Sequence, residues 1–312
     1  MTAQTHQHDT LNDDIEILLN KVRKQTKSAE RHASQADTLN PHLIEKTCSS
    51  LMRQLHQPCR IGFLGDANSG KTTLANQLIG KAVLPSSVVT NTRFVTRVAY
   101  GSQISATVNH RSIQFTEFDR FGEVDSAEKS VIRPGVSHCD IALPLPRLRE
   151  IEVVDAPPNL TEVETDRLVA HADIWVWCTN AARAWSATDR QTRLRMSSIP
   201  PERAVLVATH ADALGGYGAR CAVRDRLDLD AGEMFAAVCF SSADAAVPGD
   251  AKADADAAAA NVDAAAADVL AFARAIENVT SAYRQKRSRR IASLAKRVAT
   301  GAMAAESAET SC

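Results

Sequence analysis

The sequence predicts an α/β fold, a mostly parallel sheet flanked by N- and C-terminal helices. Three observations predict it. The short apolar run CRIGFLG at 59–65 feeds a glycine-bearing turn and then the helical pattern LANQLIG, the strand–loop–helix order of an α/β unit. Apolar runs of strand length recur at 93–100, 104–108, 150–154, 173–178, 203–208 and 235–240, with stretches of helical length between the later ones, which favours parallel pairing with helices on both faces. Amphipathic stripes stand at both ends of the chain.

Taken in order, Leu11, Ile15, Leu18, Leu19 and Val22 share one helical stripe within 11–34. A second helix takes Asn40 as cap and Pro41 as its first residue, then repeats Leu43, Thr47, Leu51 and Leu55, with Ile44, Cys48 and Met52 beside them. Residues 1–57 are therefore an N-terminal helical segment ahead of a main domain at 58–245. Trp175, Trp177 and Cys178 alternate with Ile174 and Val176 on a buried strand and read as core. The Ala/Asp-rich stretch 243–268, its insert placed at 246–268, is either a solvated helix or a flexible loop, and partial disorder is the favoured reading. From 269 to 312 a C-terminal helix and tail follow, with Leu270, Ala273, Ile276, Val279 and Tyr283 on one side.

Composition excludes more than it names. Lys and Arg number 36 against 37 Asp and Glu, a net charge of −1, so no overall basic field points to nucleic acid. No apolar run reaches the ~20 residues of a membrane-spanning helix. Seven scattered cysteines without a CxxC pair fit reduced thiols rather than a disulfide framework or a zinc site. With an N-terminus that lacks the order of a secretory signal, the expectation is a cytoplasmic protein. Arg284, Lys286, Arg287, Arg289, Arg290, Lys296 and Arg297 crowd one stretch. They read first as a solvated helical face. The alternative is weak, peripheral contact with anionic lipid heads, at roughly 1 kcal/mol per cation.

The octapeptide Gly65, Asp66, Ala67, Asn68, Ser69, Gly70, Lys71, Thr72 fits G-x-x-x-x-G-K-[ST], with a strand running in and a helix running out. Its glycines let the backbone wrap a phosphate chain so that successive N–H groups and the positive helix end face the anion. Lys71 then bridges β- and γ-phosphates, the Thr72 hydroxyl ligates Mg²⁺, and Thr73 continues the phosphate-binding run. ATP and GTP both suit such a loop, so the base is read elsewhere. Thr209-His210-Ala211-Asp212 follows the apolar RAVLVA. A carboxylate at Asp212 accepts from guanine N1–H and the 2-amino group, whereas adenine offers neither donor. Guanine is the expected base, with ATP the alternative.

These stretches resemble the motifs of P-loop GTPases. Thr209–Asp212 resembles [NT]-K-x-D, with His210 where a lysine usually covers the ring. Asp155-Ala156-Pro157-Pro158 resembles the D-x-x-G of switch II, with Pro158 at the glycine whose amide would bind the γ-phosphate; proline has no N–H to donate. Ser241-Ser242-Ala243 resembles the weak S-A motif that closes on the base. LPSSVVTNTRFVTRVAYG at 84–101 resembles a dynamin-type switch I, and LPLPRLREIEVVDAPP with the following TDRLVAHADIWVWCTNAARAWSATD resembles that family's run beyond switch II. The 90 residues from Gly65 to Asp155 leave room for extra strands.

Residues 58–245 thus resemble the G domain of bacterial dynamin-like GTPases. The resemblance implies GTP and GDP as ligands, Mg²⁺ held by Thr72, Thr90 and Asp155, and hydrolysis with Lys71, Thr90 and Asn68 as catalytic residues, Thr92 rivalling Thr90. Asn68 is the residue type found there in potassium-activated GTPases, which implies K⁺ stimulation and a G-domain homodimer. Ala67 replaces a polar residue that positions water, so hydrolysis should be slow. Flanking helices suit the family's bundle, while the absence of a long stalk and lipid-binding module argues against membrane-wrapping helices. Pro158, Ala67 and His210 together keep open a nucleotide-binding scaffold without turnover, and a P-loop ATPase is the third option.

Overall fold

The structure is a computed structural model. It describes residues 3–29, 41–84, 95–108, 111–114, 138–157, 168–183, 185–242 and 255–309. The chain divides into two compact units, 58–280 and a second made of 1–57 with 281–312.

The larger unit holds a sheet of nine strands: β1 Cys59–Leu64, β2 Val95–Tyr100, β3 Ser105–Val108, β4 Arg111–Gln114, β5 His138–Leu143, β6 Ile151–Asp155, β7 Ile174–Asn180, β8 Ala204–Thr209 and β9 Ala237–Phe240. Their spatial order is β4-β3-β5-β2-β6-β1-β7-β8-β9. The run β6-β1-β7-β8-β9 is parallel throughout. β2 pairs antiparallel with β6 and parallel with β5, and β3 is antiparallel to both β5 and β4. The sheet is therefore mostly parallel, with antiparallel additions at the β4 edge.

Two of these strands, β4 and β5, are unmarked by any apolar run. β5 reads HCDIAL, and its Asp140 sits opposite Arg97 of β2 with Oδ1 2.8 Å from the guanidinium Nε. A cross-strand ion pair thus stands where an apolar residue would have signalled a strand. At the centre, by contrast, every residue of β8 is buried, as are all but the last of β7, because helices cover both faces of a parallel sheet. Trp177, Trp185 and Phe235 meet edge to face in that core, with centroids 6.0 and 5.4 Å apart.

The helices are α1 Ala3–Ala29, α2 Pro41–His56, α3 Lys71–Ile79, α4 Ala187–Arg195, α5 Tyr217–Ala231 and α6 Ala255–Glu309. α4 opens on a capping box in which Ser186 and Asp189 satisfy each other's backbone N–H groups. In the smaller unit, Ile15, Leu19 and Val22 of α1, Ile44, Cys48, Leu51 and Leu55 of α2, and Ile291, Ala295 and Ala299 of α6 share one core. The α2 stripe is shifted from expectation. Leu43 is exposed and Ile44 takes the buried position, one residue and about 100° round the helix. Asn40, expected as the cap, lies outside the described residues. Polar ties join the same helices: the Ser288 hydroxyl donates to Asn12 at 2.8 Å, and His56 and Lys27 lie 2.9 and 3.1 Å from Glu16 and Glu45.

The Ala/Asp-rich stretch is corrected in part. Residues 243–254 lie outside the description, but from Ala255 the chain is helical and continues without a break to Glu309, so the helix begins well before 269. Alanine's high helix propensity carries it. The larger unit accordingly runs on to Thr280, past 245. Its helical face is also corrected: Phe272, Ala275, Ile276 and Val279 are buried, whereas Leu270 is exposed.

Candidate functional site

Parallel strands deliver their C-terminal loops to one edge of the sheet. Here that edge collects Gly65 after β1, Asp155 at the end of β6, Thr179 near the end of β7, Thr209 at the end of β8 and Ser241 after β9.

The β1–α3 loop is shaped by backbone requirements. Gly65 has φ +137°, and a Cβ there would lie 2.1 Å from the Cys178 carbonyl oxygen of β7, so the position accepts only glycine. Asn68 at φ 57° and Gly70 at φ 74° are also left-handed, and α3 starts immediately afterwards at Lys71. The loop thus turns onto the N-terminus of α3, whose first-turn N–H groups have no partner within the helix. Asp66, Ala67, Asn68 and Thr73 are exposed at the rim, while Ser69 is buried with its hydroxyl unpartnered.

Inside the loop the Lys71 ammonium donates to the carbonyl oxygens of Gly65 at 2.9 Å and Asp66 at 2.5 Å. Burial pushes its pKa down from the ordinary lysine value, and nearby Asp155 is among the groups that oppose the shift. The Thr72 hydroxyl donates to Asp155 Oδ2 at 2.9 Å. Asp155 is 1% exposed, and its Oδ1 has no hydrogen-bond partner. Burial raises its carboxyl to about 6, against the opposing pull of the Thr72 hydrogen bond and the Lys71 charge. An oxygen pair from Thr72 and Asp155, one carboxylate oxygen still unsatisfied, fits a hard cation such as Mg²⁺. Cys178 beneath it is pushed up to about 12 by burial and stays a neutral thiol.

The second cluster forms around Thr209. Its hydroxyl lies 2.8 Å from the Ser69 carbonyl oxygen and 3.0 Å from that of Thr179, and Gly70 packs close against it. The first residue of the tetrapeptide therefore braces the phosphate loop. His210 is left-handed at φ 56°, and Asp212 sits exposed in a short 3₁₀ turn, Ala211–Ala213. The Ala211 N–H donates to the Ser241 carbonyl oxygen at 3.1 Å, and the Ser241 N–H to that of Ala208 at 2.9 Å. Ser241 is thereby held beside the Thr209–Asp212 turn.

Thr90, Thr92 and Pro158 lie outside the described residues. A residue that the motifs did not single out ties down the chain just after α3. Asn76 is buried in α3; its amide accepts from the N–H groups of Val83 and Leu84 at 3.0 and 2.8 Å and donates to the Leu84 carbonyl oxygen at 2.8 Å. Its sequence signal was a polar residue inside the apolar pattern LANQLIG.

Residues 61–211 match the family model described as the Dynamin family. The matched stretch, just under half of the chain, takes in the β1–α3 loop, Asp155 and Thr209. A bacterial dynamin-like protein of Nostoc punctiforme is 29% identical over 172 residues, 49% of this chain and 24% of its own length. The isoniazid-induced protein IniC of Mycobacterium tuberculosis is 38% identical over 58 residues, 19% of this chain and 12% of its own. Among solved structures, one chain of an oligomerised bacterial dynamin pair, described as sensing and tethering membranes at long range, superposes with a TM-score of 0.61 at 16% identity. The overlap covers 99% of this chain and 57% of that one. The chain thus spans a quarter or less of these curated relatives and somewhat over half of the structural one.

Proposed function

We propose that the protein binds GTP together with Mg²⁺ and hydrolyses it slowly, the nucleotide state switching helical or dimer contacts. The observation that carries this is Asp155: a buried carboxylate with one oxygen unsatisfied, 2.9 Å from the Thr72 hydroxyl and beside the Lys71 ammonium. Lys71 and the amides of residues 65–73 hold the phosphates, Lys71 exchanging two loop carbonyls for phosphate oxygens. Thr72 and Asp155 hold Mg²⁺, with Thr90 joining them from switch I. The ion when bound supplies neutralisation of phosphate charge. Asp212 selects guanine, His210 covers the ring and Ser241 closes the base site. Asn68 supports stimulation by K⁺, and a G-domain homodimer would complete the catalytic arrangement.

Exposed Lys286, Arg289, Arg290, Lys296 and Arg297 support weak contact with an anionic membrane surface, consistent with a protein working in the cytoplasm and peripheral to the bilayer. Among the described residues no helix is long and apolar enough to cross a membrane. A second reading, a scaffold that binds nucleotide without turnover, is favoured by Ala67, exposed at the loop rim with no polar group of its own to orient water. Phosphate release under multiple turnover, with GTP or ATP, in K⁺ or Na⁺, across protein concentration, decides between them. The primary reading expects GTP-specific release that rises with K⁺ and with concentration. Binding without release favours the scaffold, and absence of guanine-nucleotide binding overturns both.

A further inference from the structure

The segment that closes the base site is fastened from outside the motifs. The Ser242 hydroxyl donates to Asp268 Oδ2 at 3.1 Å, and the Arg220 guanidinium lies 2.6 Å from Asp268 Oδ1. Asp268 is on α6 and Arg220 on α5, and the carboxylate is buried with both oxygens engaged. Arg220 and Arg224 also stack over the Phe240 ring at 5.2 and 5.0 Å, and Arg224 donates to the Val238 carbonyl of the same strand. One residue before Ser242, the Ser241 carbonyl receives the Ala211 N–H, next to Asp212. A chain of contacts therefore runs from Asp268 through Ser242 and Ser241 to the turn that carries the guanine-reading carboxylate.

We propose that Asp268 is a positioning residue for guanine recognition: through Ser242 it sets the height of the Ser241 segment against the Ala211–Ala213 turn. This assignment rests on the nucleotide reading above and adds a residue that lies beyond the matched 61–211 and inside the Ala/Asp-rich stretch. The geometry favours this role over general scaffolding. The two groups on the carboxylate come from the base-closing segment and from the helix that begins five residues after Asp212, so a displaced Asp268 disturbs both sides of the base site at once. The phosphate loop, held by Lys71 and Thr209, makes none of these contacts.

The test uses the full chain and two probes, a fluorescent methylanthraniloyl-GDP and inorganic tripolyphosphate. D268A is expected to release the fluorescent nucleotide about tenfold faster, the loss of a charge-assisted contact passed to its neighbour. Tripolyphosphate, which engages only the phosphate loop, should compete as well as in the unsubstituted protein. D268N, which keeps an acceptor for Ser242, should fall between. Release at the unsubstituted rate in both D268A and S242A overturns the proposal, as does an equal loss of tripolyphosphate affinity, which would mark general damage. Should D268A fail to fold, S242A, which leaves the Arg220 pair intact, is judged by the same two probes. If the unsubstituted protein binds no fluorescent GDP, the nucleotide reading itself has failed; binding with indifferent variants removes only Asp268.

Discussion

The two ends of the site are built differently. At the phosphate end, Lys71 and Asp155 are buried, Lys71 is 2.5–2.9 Å from the loop's own carbonyls, and Thr72 already bonds Asp155. At the base end, Asp212 is exposed in a single 3₁₀ turn and His210 is half-buried. On the proposed nucleotide reading the phosphate end is preorganised: Lys71 and Asp155 each already hold a partner within the site, which offsets part of the cost of burying them. Asp212, the base reader of the proposed function, stands by contrast at the solvent-exposed end of the site.

The largest effect should expose this asymmetry directly. K71A removes a buried cation that substitutes for and then meets phosphate, so affinity for GDP and for tripolyphosphate should fall together, by about a thousandfold. D212A should weaken GDP by about a hundredfold and leave tripolyphosphate unchanged. Fluorescent-nucleotide displacement measures both. Equal losses of the two ligands in D212A would mean that the ends are not separable.

Next in size is a pH effect confined to the phosphate end. The Asp155 carboxyl is raised to about 6 from an ordinary 3.8, so the folded protein holds this proton over a range where the unfolded chain has released it. The resulting stabilisation is present below pH 4 and disappears as pH rises through 6, an amount on the order of 3 kcal/mol. D155N carries no such penalty. In EDTA and without nucleotide, it should melt higher than the unsubstituted protein at pH 7.5, with the gap closing toward pH 4, and it should lose GTP turnover. Thermal melts across pH check the first part. A gap independent of pH would place the Asp155 proton elsewhere.

What the sequence shows of this site follows the same division. The proposed phosphate cradle is a local device, eight consecutive residues with glycines at fixed offsets, so its strand–turn–helix geometry is legible from spacing. Asp155 and Thr209 are legible because each ends an apolar strand. The supports are not. The Cys178 carbonyl that forces glycine at 65 is 113 residues away and carries no side-chain signature. β5 hides its strand character behind the Arg97–Asp140 pair. Asp268 lies in a stretch whose composition suggests loose chain, and only folding places Arg220 and Ser242 against it. Long-range pairing decides each of these, and local periodicity does not record it.

The smallest effect is expected at the residue that joins the two ends. Thr209 begins the base-reading tetrapeptide, yet its hydroxyl faces the Ser69 and Thr179 carbonyls. T209V keeps the shape of the side chain and leaves those carbonyls without their shared donor, a loss of about 1–2 kcal/mol in stability. If the brace matters to the cradle, release of tripolyphosphate and of GDP should quicken by the same modest factor, since Ser69 sits in the phosphate loop and Asp212 keeps its own turn. A change in GDP alone would instead assign Thr209 to the base end. The two ends would then meet at Gly70, whose backbone packs against the same threonine.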